Sequence, residues 1–280
     1  MRKKLRFVVL IACVFCLLSI SFPDIGQAPL TVRFLDVGQG DAILLRTADG
    51  DVLIDAGTEQ SETLLCLRME QLGVRSLKLA IFTHFDEDHI GGADAVLRQF
   101  PTETVWINHS PVQNEATNRL LLAAEESGAQ LRRVCAGEHF QLGDLFLAIL
   151  YPLNKNPAEG NASGLIVRMQ FGKTSALFMG DAGIAQENTL IEQYEDSDLS
   201  VDLCKVGHHG SNSSTSERFL TVTDPTYAVI SAGTVNVFGH PSGEVLARLK
   251  QNGTETLCTG WQGEIVFESN GELLLPAEGS

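Results

Sequence analysis

Basic residues are scarce. The 280-residue sequence carries 20 Lys and Arg against 35 Asp and Glu, a formal net charge of −15. Setting aside Arg2, Lys3, Lys4, Arg6 and Asp24 of the first 28 residues leaves 16 basic and 34 acidic residues, or −18. That balance argues against broad, sequence-independent binding of a polyanion through a basic face. A phosphate ester would have to be held locally, by metals and a few donors. Cysteine is thin as well: six in all, with Cys13 and Cys16 in the first apolar run. The other four, Cys66, Cys135, Cys204 and Cys258, are scattered with no CxxC pair among them. Cys66 and Cys204 sit in apolar surroundings and read as core thiols; spacing leaves a Cys135–Cys258 bridge open. Repeats, low-complexity blocks and long linkers are absent, which points to one domain.

The apolar run Phe7 to Phe22 is 16 residues long and follows MRKKLR. It is short for a membrane span and right for a secretion signal. Gly26-Gln27-Ala28 offers small residues for cleavage, whereas Pro29 opposes it. Residues 1–28 are therefore expected to be a signal peptide or an N-terminal membrane anchor. Residues 29–280 are then an exported domain, extracellular or anchored at the outer face of the membrane. Leu10-Ile11-Ala12-Cys13 lies too early in the run for a lipidation box.

The stretch around which the rest is organised is THFDEDHIGG, Thr83 to Gly92. The apolar run Leu77 to Phe82 predicts a buried strand that delivers His84, Asp86, Asp88 and His89 at its end. An amphipathic helix over Ala93 to Phe100 follows. So many ionisable groups at one strand-to-helix corner repel or desolvate badly without partners. A divalent metal is the simplest thing that makes them compatible.

Strands are further predicted over Thr31–Asp36, Ala42–Arg46, Val52–Ile54, Thr104–Asn108, Leu145–Tyr151, Leu165–Phe171, Ser175–Met179, Val201–Val206 and Tyr227–Ser231. Helices are predicted over Glu62–Leu72, Glu115–Ser127 and Gly243–Gln251, the second with an apolar stripe of Leu120, Leu121, Leu122 and Ala124. A closing hairpin is expected over Thr256–Phe267. Polar groups stand at four more strand ends: Asp55, Asp181, His208-His209, and Asn236 with His240. A lone aspartate there is ordinarily a turn or helix cap. Five such ends exceed what capping needs, and sites in sheet proteins gather where strand-end loops converge.

HxDxDH, a later GD at a strand end, and HHGS resemble the metallo-β-lactamase superfamily. FLDVGQGDAILL (34–45), LIDAG (53–57), THFDEDHIGG (83–92), LFMGDAG (177–183), KVGHHGSNSS (205–214) and NVFGHPS (236–242) are similar, in order, to the soluble C-terminal domain of the competence protein family ComEC/Rec2. The resemblance covers roughly residues 31–268 and omits that family's membrane-channel region. It implies an α+β fold, a four-layer αββα sandwich, with two divalent metal ions at its edge. By the same resemblance His84 and Asp86 serve one metal, Asp88 and His89 the other; Asp181 bridges them and His209 completes the second. Asp86 stands where many superfamily members have histidine, a harder ligand that keeps Zn²⁺ open and brings in Mn²⁺.

Asp88 and His208 are the catalytic candidates, His208 for phosphate stabilisation or proton donation to the leaving group, against a purely structural histidine. Asp55 is expected to orient a ligand histidine. Lys205 reads equally as a buried pair, a surface charge or a substrate contact. Gly38-Gln39-Gly40-Asp41, with Asp36 and Gln39 as substrate-side candidates, either presents backbone donors to a phosphate or is a tight turn. Ser211, Asn212 and Ser214 line the pocket or cap the next helix. Asn236 and His240 belong to the rim or to packing. Where many members place a further histidine, Asn161 stands instead; Gly164 replaces a serine and Gly207 a proline of the family pattern.

The expected activity is a phosphodiesterase or nuclease acting on DNA. The alternatives are a phosphodiesterase on a small or cell-envelope ester, of phosphorylcholine-esterase type, and a non-catalytic metal-stabilised binding module of a DNA-uptake or surface assembly. Nothing in the residues fixes the oligomeric state.

Overall fold

Apolar side chains alternate where a strand has one covered face and run unbroken where it has two. Among the described residues, 29–155 and 160–277 of this computed structural model, strands build two sheets. The expected signal or anchor over 1–28 lies outside the described residues. In chain order the strands begin with Leu30–Phe34 (β1), Ile43–Thr47 (β2), Gly50–Ile54 (β3), Leu77–Phe82 (β4), Thr102–Ile107 (β5) and Gln130–Arg133 (β6). Next come His139–Leu142 (β7), Leu145–Tyr151 (β8), Ile166–Phe171 (β9), Thr174–Phe178 (β10), Leu203–Lys205 (β11), Tyr227–Ile230 (β12) and Glu255–Cys258 (β13). Ile265–Ser269 (β14) and Leu274–Pro276 (β15) close the chain. The eight-stranded sheet runs β15-β14-β1-β2-β3-β4-β5-β6 and the seven-stranded sheet β13-β12-β11-β10-β9-β8-β7.

The sheets pack face to face, with helices outside. In β4, Leu79 and Ile81 enter the intersheet core with Phe34, Leu147, Val167 and Phe178. Ala80 and Phe82 face the outer layer formed by Glu62–Gln71 (α1), the short Glu87–Ile90 (α2), Ala93–Gln99 (α3) and Glu115–Ser127 (α4). On the far side Leu177 and Met179 meet Ile184–Gln193 (α5), Asp196–Leu199 (α6) and Glu217–Thr223 (α7), and Ile230 meets Gly243–Asn252 (α8). The fold is the expected αββα sandwich. Asn114, Ser216 and Ser242 cap α4, α7 and α8, each side-chain oxygen accepting from the amide three residues on.

Four readings change. The hairpin expected over 256–267 does not form: β13 ends the seven-stranded sheet, Thr259–Gln262 (α9) carries the chain across, and β14 pairs β1 in the other sheet. β11 is only Leu203–Lys205, because the chain turns off at Val206 into the histidine loop. In α4 Leu122 is exposed, and Ala116, Leu120, Ala123 and Ala124 form the buried face. All four described cysteines are buried free thiols, so the Cys135–Cys258 bridge is not made. Burial pushes Cys204 up to about 12 and Cys66 up to about 11, the latter with help from Glu62, keeping both protonated.

Glu264 joins two layers ahead of β14. Its Oε1 accepts from Arg33 of β1 at 2.8 Å and its Oε2 from Arg68 Nε of α1 at 2.6 Å. Burial works to raise this carboxyl, but the two guanidiniums hold it below its ordinary range. Because Arg68 meets water, the pairing is worth only about 1 kcal/mol. Glu264→Gln is expected to lower the unfolding free energy at neutral pH by that amount, read as a fall in the urea midpoint. The contribution is full above the ordinary glutamate range and lost as pH falls through the lowered folded value. The gap to wild type should therefore close on acidification.

Candidate metal centre

Strands β3, β4, β5 and β6 are parallel, as are β10, β11, β12 and β13. The C-terminal ends of β3 and β4 in one sheet and β10, β11 and β12 in the other meet at one edge. Asp55 leaves β3 with a left-handed backbone (φ 58°). Thr83 and His84 follow β4, and α2 begins at Glu87 with Asp86 before it. Asp181 follows β10. His208 and His209 follow β11, both left-handed (φ 48° and 51°). That conformation costs a non-glycine residue of order 1–3 kcal/mol and is held from outside. His208 N donates to Gly180 O at 3.0 Å, and Ser214 Oγ donates to Gly207 O at 2.7 Å.

Asp181 is the point on which the groups converge, its two oxygens facing different sets. Oδ1 lies 3.1 Å from His89 Nε2 and 3.4 Å from His209 Nε2. Oδ2 lies 3.8 Å from His84 Nε2 and 3.6 Å from His208 Nε2, and accepts from Asn161 Nδ2 at 3.4 Å. Asp88 Oδ2 is 3.1 Å from His209 Nε2, and Asp86 Oδ2, on a half-exposed side chain, is 3.7 Å from His84 Nε2.

The imidazoles are aimed from behind. His89 Nδ1 is 2.8 Å from Asp55 Oδ2, while Thr83 N and Oγ1 donate to the two oxygens of Asp55 at 2.7 Å each. His209 Nδ1 is 2.8 Å from Ser231 O. With each Nδ1–H so used, Nε2 carries the lone pair and faces the centre.

Burial and the neighbouring His89 push His84 down to about 3, so it is neutral. Burial works to raise Asp181, but His209 and His89 hold it well below the carboxylate range. Against the cost of burial, the close approach of His209 and the charge of His89 bring Asp88 down to about 2. Burial opposes a charge on His89, yet Asp181 and Asp55 raise it well above its ordinary value.

The donor set fits a divalent cation. His84 Nε2, His89 Nε2, His209 Nε2 and Asp181 Oδ1 are all buried and have no hydrogen-bond partner. Leaving four such atoms unsatisfied in one place is costly, and nitrogen and carboxylate donors are what zinc or manganese takes. Asp41, His89, Asp181 and His209 also bring one donor atom each within 4.8 Å of one another. Asp41, however, approaches both imidazoles on their Nδ1 sides, its Oδ2 at 3.7 Å from His89 and its Oδ1 at 3.6 Å from His209, and the same Oδ2 pairs with Lys205. It therefore stands behind the ligand face.

Asp41 is the residue that sequence reasoning missed, since an aspartate after Gly-Gln-Gly reads as turn chemistry. Its signal was position: it opens the wholly apolar run AILL, where an unpaired charge has no place. The turn packs against the metal corner. Asp41 N donates to Asp88 O at 3.1 Å, and a Cβ at Gly40 would overlap that same carbonyl oxygen. Two further candidates lie off the centre. Asp36 is exposed and accepts from Gly38 N at 3.1 Å, and Gln39 Oε1 accepts from Gly233 N at 3.2 Å. Both shape the turn, which spends its Gly38 and Asp41 donors within the protein.

Lys205 is fully buried, paired with Asp41 and donating to Gly180 O at 3.1 Å. Burial works against its charge, but Asp41 raises it. Ser211 is buried against Ser213, Asn212 is exposed, and Ser216 is the cap of α7. Asn236 holds its own loop, and His240 lies on the rim with its ring 5.8 Å from His208. At Gly207 any Cβ would overlap Ala182 O, so glycine is the residue this backbone needs.

A family profile described as the metallo-beta-lactamase superfamily matches residues 35–234. ComE operon protein 3 of Bacillus subtilis (strain 168) is 30% identical over 275 residues, which span 92% of this chain and 35% of that protein. Competence protein ComA of Neisseria gonorrhoeae is 30% identical over 243 residues, 86% of this chain and 32% of that protein. The chain thus spans about a third of the length of these curated relatives. Among solved structures, the metallo-beta-lactamase fold protein YhfI from Bacillus subtilis superposes with a TM-score of 0.54 at 10% identity. The match covers 89% of this chain and 100% of that one and is a likeness of fold alone.

Proposed function

The chain belongs to the metallo-β-lactamase superfamily and is similar within it to competence proteins, and from that premise we propose that it is an exported, metal-dependent phosphodiesterase acting on DNA. The observation that carries the reading is Asp181, whose two oxygens face separate donor sets, one for each of the two cations proposed, zinc or manganese. His84 and Asp86 would hold one, and Asp88, His89 and His209 the other. Cations bound there would act as Lewis acids on phosphoryl oxygens and bring the pKa of water into the neutral range.

The remaining work belongs to the chain. Asp55 and Ser231 fix the two imidazoles whose Nε2 atoms face inward. Asp88, partly open to solvent, is placed to orient the attacking water as well as to ligate. His208, a third exposed and on the open side of Asp181, is placed to hand a proton to the leaving oxygen. Asn161 directs an amide toward Asp181 where a further imidazole would stand in many relatives of the family.

Purified protein loaded with Mn²⁺ or Zn²⁺ should cleave DNA, and Asp88→Ala should lose cleavage. Absence of metal-stimulated cleavage of single- and double-stranded DNA would remove the nuclease assignment. The net charge of −15 favours a second reading, a small or cell-envelope ester. A chromogenic phosphodiester turned over far faster than DNA would select it. Tight metal binding with no turnover of any ester would leave a binding module. DNA as partner and the exported or membrane-anchored location rest on the leader-like start and the competence relatives. Among the described residues no helix is long and apolar enough to cross a membrane.

A further inference from the structure

The rim of the centre carries apolar side chains that the described chain leaves open. In the loop from Gly233 to His240, Val235 and Val237 are 93% and 95% exposed and Phe238 is 65% exposed. The loop is internally tied. Asn236 Nδ2 donates to the carbonyl oxygens of Gly233 (3.0 Å) and His240 (2.7 Å), and its Oδ1 accepts from His240 N at 2.9 Å. Its base is fixed to the body by Gly233 N on Gln39 Oε1 (3.2 Å) and by Thr234 Oγ1 on Gly260 O (2.7 Å). A tied loop that turns three apolar side chains to water has the form of a contact surface.

A line of rings joins that surface to the centre. His208 Nε2 is 3.6 Å from Asp181 Oδ2, the His208 and His240 rings are 5.8 Å apart, and the His240 and Phe238 rings are 5.9 Å apart and nearly parallel at 18°. The open side of Phe238 continues this series into solvent. Charge narrows what can occupy it. With 20 basic residues against 35 acidic, a polyanionic backbone finds little attraction outside the metal centre. Stacking of a base on an aromatic ring is the grip that this charge does not oppose. A base inside a duplex has both faces covered by its neighbours, whereas an unpaired base has a face to offer.

Resting on the phosphodiesterase reading, we infer that Phe238, presented by the Asn236-tied loop, is the stacking platform for an unpaired nucleobase beside the phosphodiester at the centre. The substrate class is then single-stranded nucleic acid or a frayed end.

The test measures binding of two labelled strands in Ca²⁺: a short oligothymidylate and the same backbone without bases. Wild type should bind the oligothymidylate about 10-fold or more tightly over the base-free strand; Phe238→Ala should lose that preference and Phe238→Trp keep it. In Mn²⁺ the same preference should appear in KM. Equal wild-type affinity for the two strands, or an unchanged preference in Phe238→Ala, overturns the assignment. So does an unchanged preference accompanied by loss of binding to phosphatidylglycerol vesicles, which would give the loop to a membrane. Turnover of neither strand would remove the phosphodiesterase reading, while the platform is still decided by the binding ratio.

Discussion

Asp181→Ala is expected to abolish hydrolysis and to take the metal content of the purified protein down by at least one equivalent per chain. The size of the effect follows from geometry. Removing partners that merely orient a metal ligand costs about 10- to 100-fold in affinity. Asp181 instead presents one oxygen to His89 and His209 and the other to His84 and His208. Its loss should weaken metal binding by at least about 100-fold. Elemental analysis and calorimetric titration read the change directly. The titration carries a second signature. His89 and His209 are raised by the carboxylates around them, yet must be neutral to ligate. Loading at neutral pH should therefore release protons, and the release should shrink as pH rises. In wild type, cations at 100 times their Kd add about 2.7 kcal/mol of stability, which a chelator removes. In Asp181→Ala the denaturation midpoint should barely respond to chelator. Full metal content in this variant would sink the bridging role.

Lys205→Met is expected to be the most damaging single change outside the ligand set. The lysine is fully buried and compensates Asp41, which is 1% exposed and lies behind both His89 and His209. Taking away one member of a buried ion pair costs about 3–5 kcal/mol, because the other charge stays in the interior unpaired. Replacing both members is far milder, so Asp41→Asn combined with Lys205→Met should recover a large part of the loss. Urea denaturation of the two singles and the double closes the cycle. A Lys205→Met variant within 1 kcal/mol of wild type would show that the pair does not carry this load.

The contrast between β4 and β6 explains how far a sequence reading reaches. LKLAIF is apolar on both faces because helices cover one side and a sheet the other, and its bounds are legible from the run alone. Gln130–Arg133 is an edge strand whose side chains are all exposed, so QLRR carries neither alternation nor an apolar run and goes unread. The Thr256–Phe267 hairpin fails for a related reason. Two strands close in sequence look paired, and nothing in TGWQ announces that the chain changes sheets between them. Charged groups at strand ends are legible because capping cannot use so many of them. Lys205 is not, since only the folded packing tells a buried lysine from a surface one. Asp36 and Asp41 flank the same tight turn, which sends one to solvent and the other to the interior, and only the apolar run that follows Asp41 sets it apart in the sequence.

The histidines and aspartates of the edge hang from different walls of the sandwich. His84 and His89 follow a strand of the eight-stranded sheet, and Asp181 and His209 follow strands of the seven-stranded one. A cation shared between them would rivet two slabs whose site residues lie roughly a hundred positions apart in the chain. Occupancy would then set the gape between the slabs at that edge as well as the local chemistry. Demetallation should be felt as a loosening along the whole seam, in amide exchange at the ends of β4 and β10 alike.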